Sequence, residues 1–185
     1  MKFIDVLLSI LQHYWTKYEN YPTKTKLLKL GYLVDVLYTR KFRRQLSDAE
    51  WIYYLFGPYV MDFDNILESG PFEHEEVETK EDWTATIVVP AREPKEELDL
   101  DARIMISTVV SDFGGLLLND LLDHVYFDTE PMINADRRGE KLDFSTVQPQ
   151  EFYKVRELKI DRKKEQAIRK AFRDKVRKIR GEGAI

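Results

Sequence analysis

The sequence predicts an α+β fold dominated by helix, with about six helices packed in one core beside a small antiparallel β element. Three observations predict it. Apolar residues recur at three- and four-residue spacing through most of the 185 residues. Aromatic and β-branched runs that read as strand occur in two short stretches, 51–56 and 76–89. The apolar share, 43%, is that of a globular chain with one core. Residues 1–158 are expected to form this globular domain, and 159–185 a basic amphipathic helix and tail docked on it.

The elements follow in order. Phe3, Val6, Leu7, Ile10, Leu11 and Tyr14 line one face of a helix over 3–18, which Asn20-Tyr21-Pro22 ends. Asp5, Gln12 and His13 interrupt its apolar stretch and no small-residue cleavage site follows, so it reads as a mature helix and not a signal peptide. Thr23 caps a second helix over 24–42. Leu27, Leu30, Val34, Leu37 and Tyr38 form its stripe, widened by Leu28, Tyr32, Leu33 and Val36, which predicts a central core helix. The run Trp51-Ile52-Tyr53-Tyr54-Leu55-Phe56 reads as a short strand or an extended loop stopped by Gly57-Pro58, with a third helix from about Tyr59 to Ser69. Segments 76–79 and 84–89 predict a hairpin, ended by Pro90 and Pro94. Helices are expected over 98–113 and 116–126, separated by Gly114-Gly115. Residues 128–149 read as a long ordered loop, and 161–180 as the last helix.

The chain contains no Cys, which removes disulfides, thiolate metal sites and a Cys nucleophile, and fits a cytoplasmic protein. No run of about 18 apolar residues predicts a membrane span. Neither GxxxxGK[ST] nor GxGxxG nor GxSxG occurs, and His13, His74 and His124 lack metal-ligand spacing, so no cofactor or metal is expected. Asp35 is the one carboxylate inside the apolar second helix. A buried acid needs a partner or a shifted pKa, and pairing with an Arg or with nearby backbone is the expected reading. A catalytic Asp35, with neighbouring acids and a metal, is the enzymatic alternative.

Charge is unevenly spread. Residues 62–101 hold 14 acidic and 3 basic residues, whereas 159–181 hold 11 basic and 3 acidic. Ile168, Ala171, Phe172, Val176 and Ile179 run as an apolar stripe through the basic segment. Three readings stay open for it: docking on the chain's own acidic half, binding a partner protein, or contact with nucleic acid or an anionic surface.

Three segments together resemble the Panacea domain, also called SocA-like and, among phage proteins, GepA-like. The first is Thr25-Lys26-Leu27-Leu28-Lys29-Leu30-Gly31-Tyr32-Leu33-Val34-Asp35. The second is Trp51-Ile52-Tyr53-Tyr54-Leu55-Phe56-Gly57-Pro58-Tyr59, where Phe56 replaces the family's Tyr. The third is Tyr126-Phe127-Asp128-Thr129-Glu130-Pro131-Met132, continuing at Gly139-Glu140-Lys141-Leu142-Asp143-Phe144. The resemblance spans about 23–145 and leaves the basic C-terminal segment outside. It implies a bacterial or phage antitoxin that neutralises a cognate toxin protein by direct binding, with a protease or chaperone as a further partner if the chain acts as a proteolytic adaptor. It implies binding and no catalysis; the acidic net charge and the lack of an apolar span argue against a membrane partner.

Contact candidates are Trp51, Tyr53, Tyr54 and Tyr59 on the aromatic run and Arg169, Phe172, Arg173 and Val176 on the last helix. Asp35, Gly57, Pro58, Thr129, Glu130, Pro131, Gly139 and Asp143 are expected to hold the scaffold, with the Thr129-Glu130-Pro131-Met132 turn stacked on the Gly57-Pro58 region. The alternative function is a nucleic-acid-associated protein using the basic helix.

Overall fold

The computed structural model describes residues 1–78, 84–95 and 97–149. Among these the fold is α+β, with six helices and two small antiparallel sheets. They belong to one compact unit, Met1–Gln150. The expected boundary at 158, the last helix and its candidates Arg169, Phe172, Arg173 and Val176 lie outside the described residues.

Helix α1 (Phe3–Tyr18) has no cap from its own N-cap residue; Asp48 instead accepts the Phe3 N–H at 2.7 Å from 45 residues away. Helix α2 (Lys24–Phe42) starts at the Thr23 cap, whose hydroxyl accepts the Lys26 N–H, and ends with Arg43 in the left-handed region. Its apolar circumference has the expected consequence. All but Leu37 of the predicted apolar positions are fully buried, and α2 touches α1, helix α4 (Leu100–Phe113), helix α5 (Leu118–Phe127) and strands from both sheets. Asp99 caps α4 by accepting the Ala102 N–H at 2.7 Å, which fixes its start two residues beyond Leu98. The Lys26 ammonium donates to the Gly114 and Leu116 carbonyls at the C-terminal end of α4, where the helix leaves acceptors free. No single helix among the described residues is long and apolar enough to cross a membrane; α4 and α5 together reach the length but bend by 119°.

The strand expected within 51–56 is β1 (Trp51–Tyr54), which pairs antiparallel with β2 (Gly57–Val60) across a Leu55-Phe56 turn. Two expectations are corrected. Gly57-Pro58 therefore opens a strand and not a helix, and helix α3 (Phe63–Ser69) begins beyond Asp62. Segment 128–149 is only partly loop, since it holds a one-turn helix α6 (Glu130–Ile133) and a 3₁₀ turn at Phe144–Thr146. Between α3 and α4 lies the second sheet, β3 (Phe72–Glu78) with β4 (Thr84–Pro90), as the alternation predicts, although β3 starts four residues before the acidic run suggests.

The physical reason for the first error is legible in the hydrogen bonds. Tyr53 spends its N–H and its carbonyl on Glu140 and Gly139, away from β2. In an antiparallel ladder this makes Tyr53 opposite Pro58 a pair without main-chain bonds to each other. Proline lacks only the N–H that this position does not use, so it fits the strand without loss.

Candidate functional site

The first hairpin is held from four sides. On its core side Trp51 is 1% exposed and its indole N–H donates to Asp35 Oδ2 at 2.8 Å. The same carboxylate accepts the Ser47 N–H at 2.8 Å, the Ser47 hydroxyl at 2.5 Å and the Gln45 amide at 3.5 Å. Asp35 is completely buried, and burial raises its pKa while the bonds from Ser47, Trp51 and Gln45 oppose the rise. Of the two expected partners, an Arg or nearby backbone, it is the backbone, through the Ser47 N–H, that meets it. Its partners are a backbone N–H and three neutral side-chain donors, which locks the 45–51 connection and the Trp51 ring into one arrangement. Phe3 and Tyr32 close on that ring edge-on, each with centroids 5.3 Å away.

On the β2 side Lys29 reaches from the middle of α2. Its side chain is 2% exposed, and its ammonium nitrogen lies 2.8 Å from the Pro58 carbonyl oxygen. Burial alone pulls its pKa down to about 7. Along the free edge of β1, Gly139 N–H donates to Tyr53 O at 2.6 Å and Leu142 N–H to Trp51 O at 2.8 Å, and Lys141 bridges Ile52. Gly139 adopts φ +88° to enter this edge. Asp143 then turns the chain by accepting the Ser145 N–H, and hydrogen bonding from the Ser145 side chain and then its backbone lowers the Asp143 pKa.

The fourth side is α5. The Tyr126 ring covers Gly57, whose φ of +89° closes the hairpin turn; a Cβ there would stand 3.4 Å from the ring. The residue against Gly57 is Tyr126, one turn before Thr129. Thr129 is buried at a different task. Its hydroxyl donates to the Val125 carbonyl at 2.6 Å, so the Tyr32 hydroxyl must donate to Thr129 Oγ1 at 2.9 Å. Glu130 pairs with Arg40 at 2.9 Å, and Pro131 is buried in the first turn of α6.

What this scaffold displays is apolar. Tyr54 and Leu55 are exposed at the tip, and Phe56 is 73% exposed. Tyr53 and Tyr59 are half-buried; Tyr54 packs against Tyr59 at 5.4 Å and Tyr53 against Tyr126 at 6.4 Å. Phe127, also 73% exposed, follows Tyr126 on the same end of α5; burial and then Tyr53 raise the Tyr126 pKa, and Arg138 opposes the rise. Trp51 presents no surface and leaves the contact set. Phe56 lies inside the aromatic run that the sequence offers for contact, and its place in the turn is what exposes it. Tyr126, Phe127 and Arg138 are absent from the sequence-based candidates. Tyr126 reaches the hairpin only through the fold, with Phe127 and Arg138 beside it.

The remaining polar groups stay apart. His13 meets the Ser9 carbonyl, His124 meets Asp128 on its own helix, and His74 is exposed on β3. Among the described residues no group of three His, Asp or Glu could hold a metal ion. Searches of family models, of curated proteins and of solved structures found no match to this chain.

Proposed function

We propose that this chain is an antitoxin-type binding protein of the Panacea kind, which neutralises a cognate toxin protein by covering it and not by a reaction. The observation that supports this reading is the pairing of a fixed scaffold with an exposed aromatic tip. Tyr54, Leu55 and Phe56 hold solvent-facing apolar surface at the turn, while Asp35, Lys29, Gly139 and Tyr126 fix the hairpin backbone that carries them. A backbone held before docking lowers the entropy lost on binding, and aromatic residues dominate the energetics of protein interfaces. The predominantly helical core serves as the platform. Delivery of the bound toxin to a protease is the adaptor form of the same reading.

Co-expression with the product of the neighbouring gene tests it. The neighbour is expected to arrest growth alone, to be tolerated with this chain, and to copurify with it. Phe56→Ser is expected to weaken the complex by about a hundredfold, the range of an interface hot spot, with the melting temperature unchanged. A neighbour that is harmless alone and forms no complex overturns the reading.

A further inference from the structure

The second hairpin carries a surface that the aromatic tip does not use. Main-chain parity defines it. Ala91 N–H donates to Pro71 O at 2.9 Å, so the pair 71–91 is a bonded one. Continuing the register, Glu73–Val89, Glu75–Ile87 and Val77–Ala85 are bonded pairs, and His74, Glu76 and Glu78 lie in the alternate ones. Val88, the partner of His74, confirms the parity from the other side: its N–H turns away from β3 and donates to Pro22 O at 3.2 Å. His74, Glu76 and Glu78 therefore direct their N–H and C=O groups to the outer edge of β3, where no described residue meets them.

The side chains are equally unspent. Only Phe72 of β3 is buried. Glu73 and Glu75 lie on one face and Glu76 and Glu78 on the other, opposite Val89, Ile87, Thr86 and Thr84, none of them basic. None of the four enters an ion pair among the described residues. Charge on an open edge repels a second copy of the same edge. The same charge favours a strand of opposite sign.

We propose that the outer edge of β3 docks an extended basic segment of a partner protein, added as a third strand, with the main chain supplying affinity and alternate Lys or Arg residues supplying register. This surface is independent of the aromatic tip, and its failure would leave that reading intact.

The test uses the full chain and a blocked seven-residue peptide of alternating Lys and Val, matched to the seven residues of β3. Amide hydrogen exchange is the readout. In the free protein the amides of His74, Glu76 and Glu78 are expected to exchange fast and those of Glu73, Glu75 and Val77 slowly. Peptide is expected to slow the first set at least about tenfold and leave the second unchanged. Glu76→Pro removes an outward donor and no ladder bond, so it is expected to weaken binding about tenfold with the β3–β4 register kept. Should that variant unfold the hairpin, N-methylation of alternate peptide residues makes the same test on the ligand and is expected to abolish protection. Binding without alternating protection, equal binding of an N-methylated or acidic peptide, protection already present in the free protein, or a dimer that Glu76→Pro dissolves would each overturn the proposal.

Discussion

The two hairpins invert what strand length alone suggests. β1–β2 has four residues per strand, and β3–β4 has seven. Yet the short one is the fixed one. A two-stranded hairpin is marginal by itself, and β1–β2 is held because buried side chains and a neighbouring segment hold both of its edges. β3–β4 is rooted at Phe72 and Val88, with Pro22 and Thr23 beside β4, and everything else on β3 is exposed. What separates them is where polar groups find partners. In the first hairpin Asp35, Lys29 and Gly139 each satisfy a specific main-chain or indole group; in the second, alternate main-chain groups of β3 meet no described residue. The first is built to present side chains in one arrangement, and the second to offer its backbone.

The largest expected effect breaks the first hairpin at its root. Asp35→Ala would leave the Ser47 N–H, the Ser47 hydroxyl and the Trp51 indole N–H without acceptors in a dry core, and would open a cavity. The expected loss is about 3–5 kcal/mol in a denaturant titration. Asp35→Asn keeps the volume but turns an amide donor toward donors, and is expected to lose about 2 kcal/mol. An unchanged midpoint in both variants would mean that the carboxylate does not hold Trp51.

Lys29 gives the next effect, and it is a pH effect. Its pKa falls from 10.5 to about 7 on folding. Between those values the unfolded chain binds more protons than the folded one, so stability rises with pH across the window and is lowest below about pH 7, where the fold must bury an ammonium. Relative to Lys29→Met, which removes the titration, the wild type is expected to gain about 1.4 kcal/mol per pH unit, or about 3 kcal/mol from about pH 7.5 to about pH 9.5. Paired denaturation curves at the two pH values measure it. A slope that persists in Lys29→Met would place the titrating group elsewhere.

A smaller effect sharpens the comparison at the turn. Gly57→Ala puts a side chain at φ +89° against the Tyr126 ring and is expected to lose about 1–2 kcal/mol. Gly139→Ala suffers the same backbone penalty at φ +88°, but a Cβ there meets nothing within 4 Å. The difference between the two variants, read from their melting temperatures, isolates the ring contact.

Much of this was legible in the sequence, and the misses share a cause. Helices α1 and α2 were readable to the residue because a 3.6-residue apolar period and the Thr23 cap are local signals. Asp35 stood out as an acid among apolar neighbours, but its partners come from 10 to 16 residues away and include no cation, so their identity was not local. Gly57-Pro58 misled because Pro fits both a first helical turn and a strand position with no ladder bond. The choice depended on Glu140, more than 80 residues further on. The hairpin surface followed the same rule: Tyr53, Tyr54 and Tyr59 were named from the aromatic run, whereas Trp51 was lost to the core and Tyr126 was gained from another element. Periodicity reports which face is apolar; it does not report which apolar residues the rest of the fold leaves uncovered.

The smallest effect has the opposite sign and bears on why β3 is acidic. Glu75 faces Ile87 across the ladder and shares its face with Glu73 two residues away, and glutamate is a poor strand former. Glu75→Thr relieves repulsion and improves strand propensity without touching a bonded group, so it is expected to stabilise the chain by about 0.5 kcal/mol in a denaturant titration. Phe56→Ser on the other hairpin is expected to change stability by less than about 0.5 kcal/mol in either direction, because the ring it removes packs on little. A residue whose replacement stabilises the fold is held there by something other than the fold. If Glu75→Thr instead destabilises, the glutamates contribute to the hairpin itself, and the contrast between a braced hairpin and an unspent one loses its energetic basis.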